Sequence, residues 1–81
     1  MQSIPMTIFS ELDVGDRARV VGYPAGAEGY FGQIMRLGLT PGTPFRVVRV
    51  APLGDPMEIE VRGFRLSLRR AEAGALEVER L

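Results

Sequence analysis

The 81-residue chain contains no histidine, cysteine, lysine or tryptophan, and all ten of its basic residues are arginine. Histidine is the usual general base near neutral pH, while thiolate and amine nucleophiles require cysteine or lysine. Transition-metal sites are mostly built from cysteine and histidine, and a serine–histidine–aspartate triad requires histidine. The composition therefore argues against an enzyme and favours a module that acts by binding. We expect no catalytic residue, no cofactor and no metal ligand.

Two further absences concern covalent and membrane anchoring. Without cysteine no disulfide can form, so the fold must rest on packing alone. The sequence also lacks a long apolar run and the charged-then-apolar beginning that is typical of a secretion signal. We therefore predict a cytoplasmic protein that does not insert into a membrane.

The charges balance, because ten arginines face ten acidic residues and the formal net charge is zero. A nucleic-acid binder usually needs surplus basic charge, so no nucleic-acid partner is expected. Four arginines nevertheless cluster late in the chain, at Arg62, Arg65, Arg69 and Arg70. They would suit a phosphate-binding face. We favour a solvated strand face that is balanced by Glu58, Glu60 and Glu72.

Glycines and prolines divide the chain into short segments, which favours a small β-barrel over a helical bundle. The predicted strands are residues 17–23, 44–51, 57–62, 64–69 and 75–81. Helical spacing covers residues 28–37, and residues 70–74 suit a short helical turn. We predict an all-β fold with one or two short helices: an SH3-like barrel of about five strands, with a helix inserted between strands 1 and 2. Residues 1–81 form one domain, in which residues 1–9 are partly flexible.

The strongest hairpin signal joins residues 57–62 to residues 64–69, because both segments alternate cleanly between apolar and polar side chains. Alternate residues of a strand point to opposite faces of a sheet. The side chains predicted to point inward are Met57, Ile59 and Val61 in the first segment and Phe64, Leu66 and Leu68 in the second.

Several apolar residues are candidates for a partner-binding surface. Tyr23 and Tyr30 flank the corner between the first strand and the helix, and Pro52, Leu53 and Met57 belong to the next hairpin loop. A loop rich in proline and leucine cannot bury all of its apolar atoms, and SH3-like barrels often bind peptides through such surfaces. The alternative is that these are apolar residues scattered over the surface, which is common in proteins.

Three carboxylates, Asp55, Glu58 and Glu60, have the chemistry to bind a hard cation. Opposite charges that face each other across a hairpin also pair with one another. We favour the second interpretation, in which these carboxylates are solvated and pair with neighbouring arginines.

Two blocks of sequence resemble a known family. They are Ile-Met-Arg-Leu-Gly-Leu-Thr-Pro-Gly-Thr at 34–43 and Arg-Val-Ala-Pro-Leu-Gly-Asp-Pro at 49–56. Their order makes residues 12–81 similar to the FeoA family of small cytosolic proteins of bacterial ferrous iron transport. The chain also resembles the C-terminal SH3-like domain of DtxR-type metal-dependent repressors. Nothing in it matches their DNA-binding helices.

The resemblance to FeoA implies an SH3-like barrel and an accessory or regulatory role in ferrous iron uptake. The implied partner is FeoB, the membrane transporter of Fe(II) with a GTPase domain, which the protein would contact on the cytoplasmic side. The alternative is a free-standing SH3-like regulatory module that binds a peptide or protein unrelated to iron transport. An unpaired edge at the first or last strand would also allow a homo-oligomer.

Overall fold

One antiparallel sheet organises the chain. The structure is a computed structural model that describes residues 6–24 and 28–81. Its strands are β1 (Met6–Ile8), β2 (Arg17–Gly22), β3 (Pro44–Val50), β4 (Met57–Val61), β5 (Phe64–Leu68) and β6 (Glu77–Arg80). Its helices are α1 (Glu28–Arg36), α2 (Arg70–Ala73) and a 3₁₀ turn (Phe9–Glu11). The strands pair in the order β1-β6-β2-β3-β4-β5. The predicted antiparallel fold, with a helix between two early strands, is confirmed.

The start of the described chain differs from the prediction. The barrel is expected to have about five strands, the first of them at residues 17–23. Instead β1 pairs with β6, from Met6 beside Glu79 to Ile8 beside Glu77, and makes a sixth strand. Phe9 follows and is completely buried. This short segment joins the fold because its backbone completes one side of β6 while the phenyl ring of Phe9 enters the core.

The core lies on the inward face of the sheet. Phe9 and Phe45 are among its aromatic members, with ring centroids 6.0 Å apart. The strand residues with at most 1% exposure are Ala18, Val20, Val47, Met57, Ile59, Val61 and Val78. The alternation predicted for β4 is therefore confirmed, since its apolar residues are buried and the glutamates between them are only partly buried.

The prediction that Phe64 points into the core is wrong, because its side chain is 43% exposed. Phe64 follows the two-residue turn Arg62-Gly63, which closes the β4–β5 hairpin with positive φ angles of 52° and 84°. Its ring lies against the end of α1, where a Cβ placed on Gly38 would be 3.7 Å from the ring. Phe64 therefore follows the alternation of β5 but lies beyond the end of the core.

Helix α1 ends one residue earlier than predicted, at Arg36, and the stop is made by glycine. Gly38 has a φ of 107°, a conformation that favours glycine, and its amide donates to the Met35 carbonyl at 3.0 Å. Leu39 then enters the core with 0% exposure. With nine residues, α1 is the longest helix in the described ranges, none of which holds a helix long and apolar enough to span a bilayer.

The free edges of the sheet also differ from the prediction. The strands at 17–23 and 75–81 are the predicted edges, but β2 lies between β3 and β6, and β6 lies between β1 and β2. The end strands in the observed order are β1 and β5. A homo-oligomer that pairs through the predicted strands would therefore have to break existing strand pairs.

Replacing Ile59 with alanine tests the core. Ile59 is completely buried in β4, so Ile59→Ala should lower the free energy of unfolding by about 2–5 kcal/mol. Urea denaturation followed by circular dichroism measures this loss. Leu53→Arg is the matched surface control and should change the same quantity by less than about 0.5 kcal/mol. Equal losses in the two variants would contradict the placement of Ile59 in the core and of Leu53 on the surface.

Candidate partner-binding surface

The loop between β3 and β4 presents the most exposed apolar side chain among the described residues. Leu53 is 96% exposed, and Pro52 beside it is also exposed. The loop closes on itself through the Gly54 amide, which donates to the Ala51 carbonyl at 2.7 Å, and through the Ala51 amide, which donates to the Pro56 carbonyl at 3.1 Å. The backbone bonds hold the tip in shape while the leucine side chain remains in solvent.

Arg70 fixes this loop to the rest of the molecule. Its amide donates to Asp55 Oδ1 at 2.7 Å, its Nε donates to the Gly54 carbonyl and one terminal nitrogen donates to the Ser10 carbonyl. One side chain therefore connects the loop, α2 and the 3₁₀ turn. A loop that is already ordered loses less conformational entropy when a partner covers it.

Arg70 was predicted to belong to a surface cluster of arginines, and this part of the prediction is wrong. Its side chain is partly buried because its guanidinium binds backbone carbonyls inside the fold. Arg62, Arg65 and Arg69 remain exposed.

Tyr23, predicted to bind a partner, is half-buried and packs against the core. Its hydroxyl donates to the Leu39 carbonyl at 2.7 Å. Burial raises the pKa of this phenol, so the hydroxyl remains protonated near neutral pH and continues to donate. Tyr23 therefore contributes to the junction between β2 and the end of α1.

Two other predicted contact residues take different places. Met57 is completely buried in β4, so its side chain cannot contact a partner in this conformation, and the prediction is corrected for it. The core covers it because it alternates with Glu58 at the start of the strand. Tyr30 lies in α1, but its side chain is outside the described part of the structure.

The carboxylates on the outward face of the hairpin lie beside arginines. Arg65 approaches Glu58 at 3.7 Å, and Arg46 approaches Glu60 at 3.4 Å. Glu58 therefore has one of the predicted partners, whereas Glu60 pairs with a residue of β3. Within residues 6–24 and 28–81, no three carboxylates come together in a way that could hold a metal ion.

A second exposed apolar surface was not predicted. Leu37 is 45% exposed and Phe64 43% exposed, and a Cβ placed on Gly38, the residue after Leu37, would be 3.7 Å from the Phe64 ring. Alternation placed Phe64 inside, and Leu37 entered the prediction only as the last residue of the helical segment 28–37. A signal was available in the turn Arg62-Gly63, since residues next to a hairpin tip commonly extend beyond the core.

Comparison with known proteins places the fold in a family. A family model described as the FeoA domain matches residues 9–80. The chain belongs to the FeoA family. It is 37% identical over 71 residues to an Fe(2+) transport protein A/Fe(2+) transporter FeoB fusion protein of Porphyromonas gingivalis. That match covers 88% of this chain and 8% of the fusion protein, so the chain spans a small part of that relative.

Solved structures agree with the family assignment. The solution structure of FeoA from Chlorobium tepidum is 41% identical, with a TM-score of 0.80 over 93% of this chain and 70% of that one. Stenotrophomonas maltophilia FeoA, crystallised with zinc and described as an SH3 domain protein, is 28% identical with a TM-score of 0.72, covering 89% of this chain and 88% of that one. The predicted SH3-like fold is confirmed.

The resemblance to metal-dependent repressors extends to the fold alone. IdeR of T. acidophilum is 17% identical, with a TM-score of 0.82 over 100% of this chain and 37% of that protein. A similar fold therefore also occurs as a part of a longer protein.

Arg70→Met tests the connection between the loop and the core. The change removes donors from the Gly54 and Ser10 carbonyls, so the free energy of unfolding should fall by about 1–3 kcal/mol. Thermal and urea unfolding measure the loss. Arg70→Lys keeps the charge without the planar fork and should recover only part of it. Full recovery by lysine would indicate that the charge, and not the geometry, holds the loop.

Proposed function

We propose that this FeoA-family protein is an accessory protein of bacterial ferrous iron uptake that docks on the cytoplasmic side of a FeoB-type transporter. The observation that carries the proposal is the fusion protein of Porphyromonas gingivalis, in which a transport protein A segment and the transporter form one polypeptide. Two domains that are joined in one chain in a relative commonly work together when they are separate.

The residues support action by contact instead of by chemistry. The chain has no histidine, cysteine or lysine, and the described carboxylates of the outward hairpin face are beside arginines. Fe(II) is therefore the cargo of the transporter in this proposal. The small protein regulates the transporter and does not bind the ion tightly.

The surface that we assign to docking is the β3–β4 loop with Pro52 and Leu53. Leu53 is 96% exposed on a loop whose backbone is fixed by Arg70. An apolar side chain at the tip of an ordered loop suits insertion into an apolar pocket of a partner, where removal from water stabilises the complex.

Leu53→Arg tests this assignment, with Leu81→Arg as its matched control. Leu81 is also exposed, at 61%, but lies beside Pro44 and Phe45 at the opposite end of β3. Binding to the detergent-solubilised transporter is measured by biolayer interferometry with no nucleotide, with GDP and with a GTP analogue. Leu53→Arg should weaken binding by about thirtyfold, the value of one apolar anchor of about 2 kcal/mol, and Leu81→Arg by less than about twofold.

The results separate docking from the alternative of an unrelated peptide-binding module. Absence of binding by the unaltered protein at micromolar concentrations in every nucleotide state would reject the transporter as the partner. Binding that survives Leu53→Arg would keep the transporter as partner and reject the loop as the contact.

A further inference from the structure

The outer edge of β5 has backbone groups without a partner strand. Val61 and Phe64 flank the two-residue turn and are therefore a hydrogen-bonded pair. Pairs alternate along an antiparallel hairpin, so Arg65 and Ser67 occupy the positions whose N–H and C=O groups point away from β4. Among the backbone bonds of the described residues, none reaches these outward groups.

A groove lies beside this edge. It has a volume of about 130 Å³, which is enough for one apolar side chain, and it separates α1 from β5 and α2. The residues that line it are Gln33, Ile34, Leu37, Ser67, Leu68 and Glu72. Exposed Leu37 and Phe64 extend the apolar surface along the same edge. An extended segment that pairs with β5 would therefore find a seat for an apolar side chain next to its backbone.

The charge of this edge is positive although the chain is neutral overall. Arg62 and Arg69 are exposed and, within the described part of the chain, no carboxylate oxygen lies within 4 Å of their guanidinium groups. Arg62 lies against Gly38, so it borders the apolar surface directly. The acidic group that lines the groove is Glu72. Charge complementarity selects an occupant with several carboxylates.

The opposite edge of β5 already binds such a segment. Its partner there is β4, with the sequence Met-Glu-Ile-Glu-Val, and Glu58 of β4 lies 3.7 Å from Arg65. A second copy of β5 is a poor occupant, because antiparallel pairing of two such strands brings arginines close together and like charges across strands are destabilising.

From these observations we infer that the outer edge of β5 binds an extended acidic segment of a protein partner by strand addition. The backbone groups of Arg65 and Ser67 pair with the segment, one of its apolar side chains enters the groove beside Leu37, and its carboxylates face Arg62 and Arg69. The inference does not rest on the transporter being the partner, and it concerns a surface other than the Leu53 loop.

A defined peptide tests the inference on the full chain. The probe is acetyl-Glu-Val-Glu-Leu-Glu-Val-Glu-amide carrying a fluorophore, and binding is followed by fluorescence anisotropy and by ¹⁵N–¹H spectra. The amide signals of Arg65 and Ser67 should shift and exchange more slowly with solvent, because strand addition places them in hydrogen bonds. A control peptide with glutamine in place of glutamate should bind at least about tenfold more weakly.

Matched charge reversals identify the edge. Arg62→Glu should weaken peptide binding by about tenfold or more, while Arg17→Glu, which changes the net charge by the same amount, should change it by less than about twofold. Arg17 is also exposed, but β3 and β4 separate its strand from β5. Thermal unfolding of each variant verifies that the fold persists.

Several results would overturn the inference. Binding of the peptide without changes at the Arg65 and Ser67 amides would place it elsewhere, and equal binding of the glutamine peptide would remove the role of charge. If the peptide does not bind while sedimentation detects a dimer that Arg62→Glu alters, a second copy occupies the edge. If it does not bind while phosphatidylglycerol vesicles do, an anionic lipid surface occupies it instead.

Discussion

Burial of the apolar face of one antiparallel sheet is the interaction on which the molecule depends. With no cysteine, the chain has no covalent cross-link, so Phe9, Val47 and Ile59 must hold the strands together by packing. The sheet can bury this face because β1 and the 3₁₀ turn bring Phe9 over it. The same core positions the β3–β4 loop and the outer edge of β5.

The core positions two surfaces that differ in their chemistry, the β3–β4 loop and the outer edge of β5. The β3–β4 loop is held by polar contacts from Arg70, and these leave Leu53 as an isolated apolar side chain in water. The β5 edge combines open backbone groups with apolar and cationic side chains. The first surface suits a pocket in a folded partner, and the second suits an extended segment.

Most of the fold could be predicted because its signals are local. Alternation in β4, the glycine stop after α1 and the turn residues each depend on neighbours a few positions away, and the observed elements differ from the predicted ones by one or two residues at their ends. β1 was not predicted because three residues carry almost no periodicity. Its extended conformation comes from pairing with β6, some seventy positions later in the chain. The exposure of Leu53 followed from loop composition, and the burial of Met57 at the base of the same loop followed from the alternation of β4, which contradicts its selection as a contact residue.

By itself, the sequence determined what this protein lacks and which residues alternate. It has no histidine, cysteine or lysine for chemistry, and its predicted strands carry an apolar face. It also contains the two blocks, at 34–43 and 49–56, that resemble the FeoA family. Only the tertiary structure decided which strands are edges, that Arg70 turns inward to hold the loop, and that Phe64 lies outside beside Leu37. These outcomes depend on contacts between residues that are distant along the chain, and such contacts are chosen by the packing of the whole core and not by any local pattern.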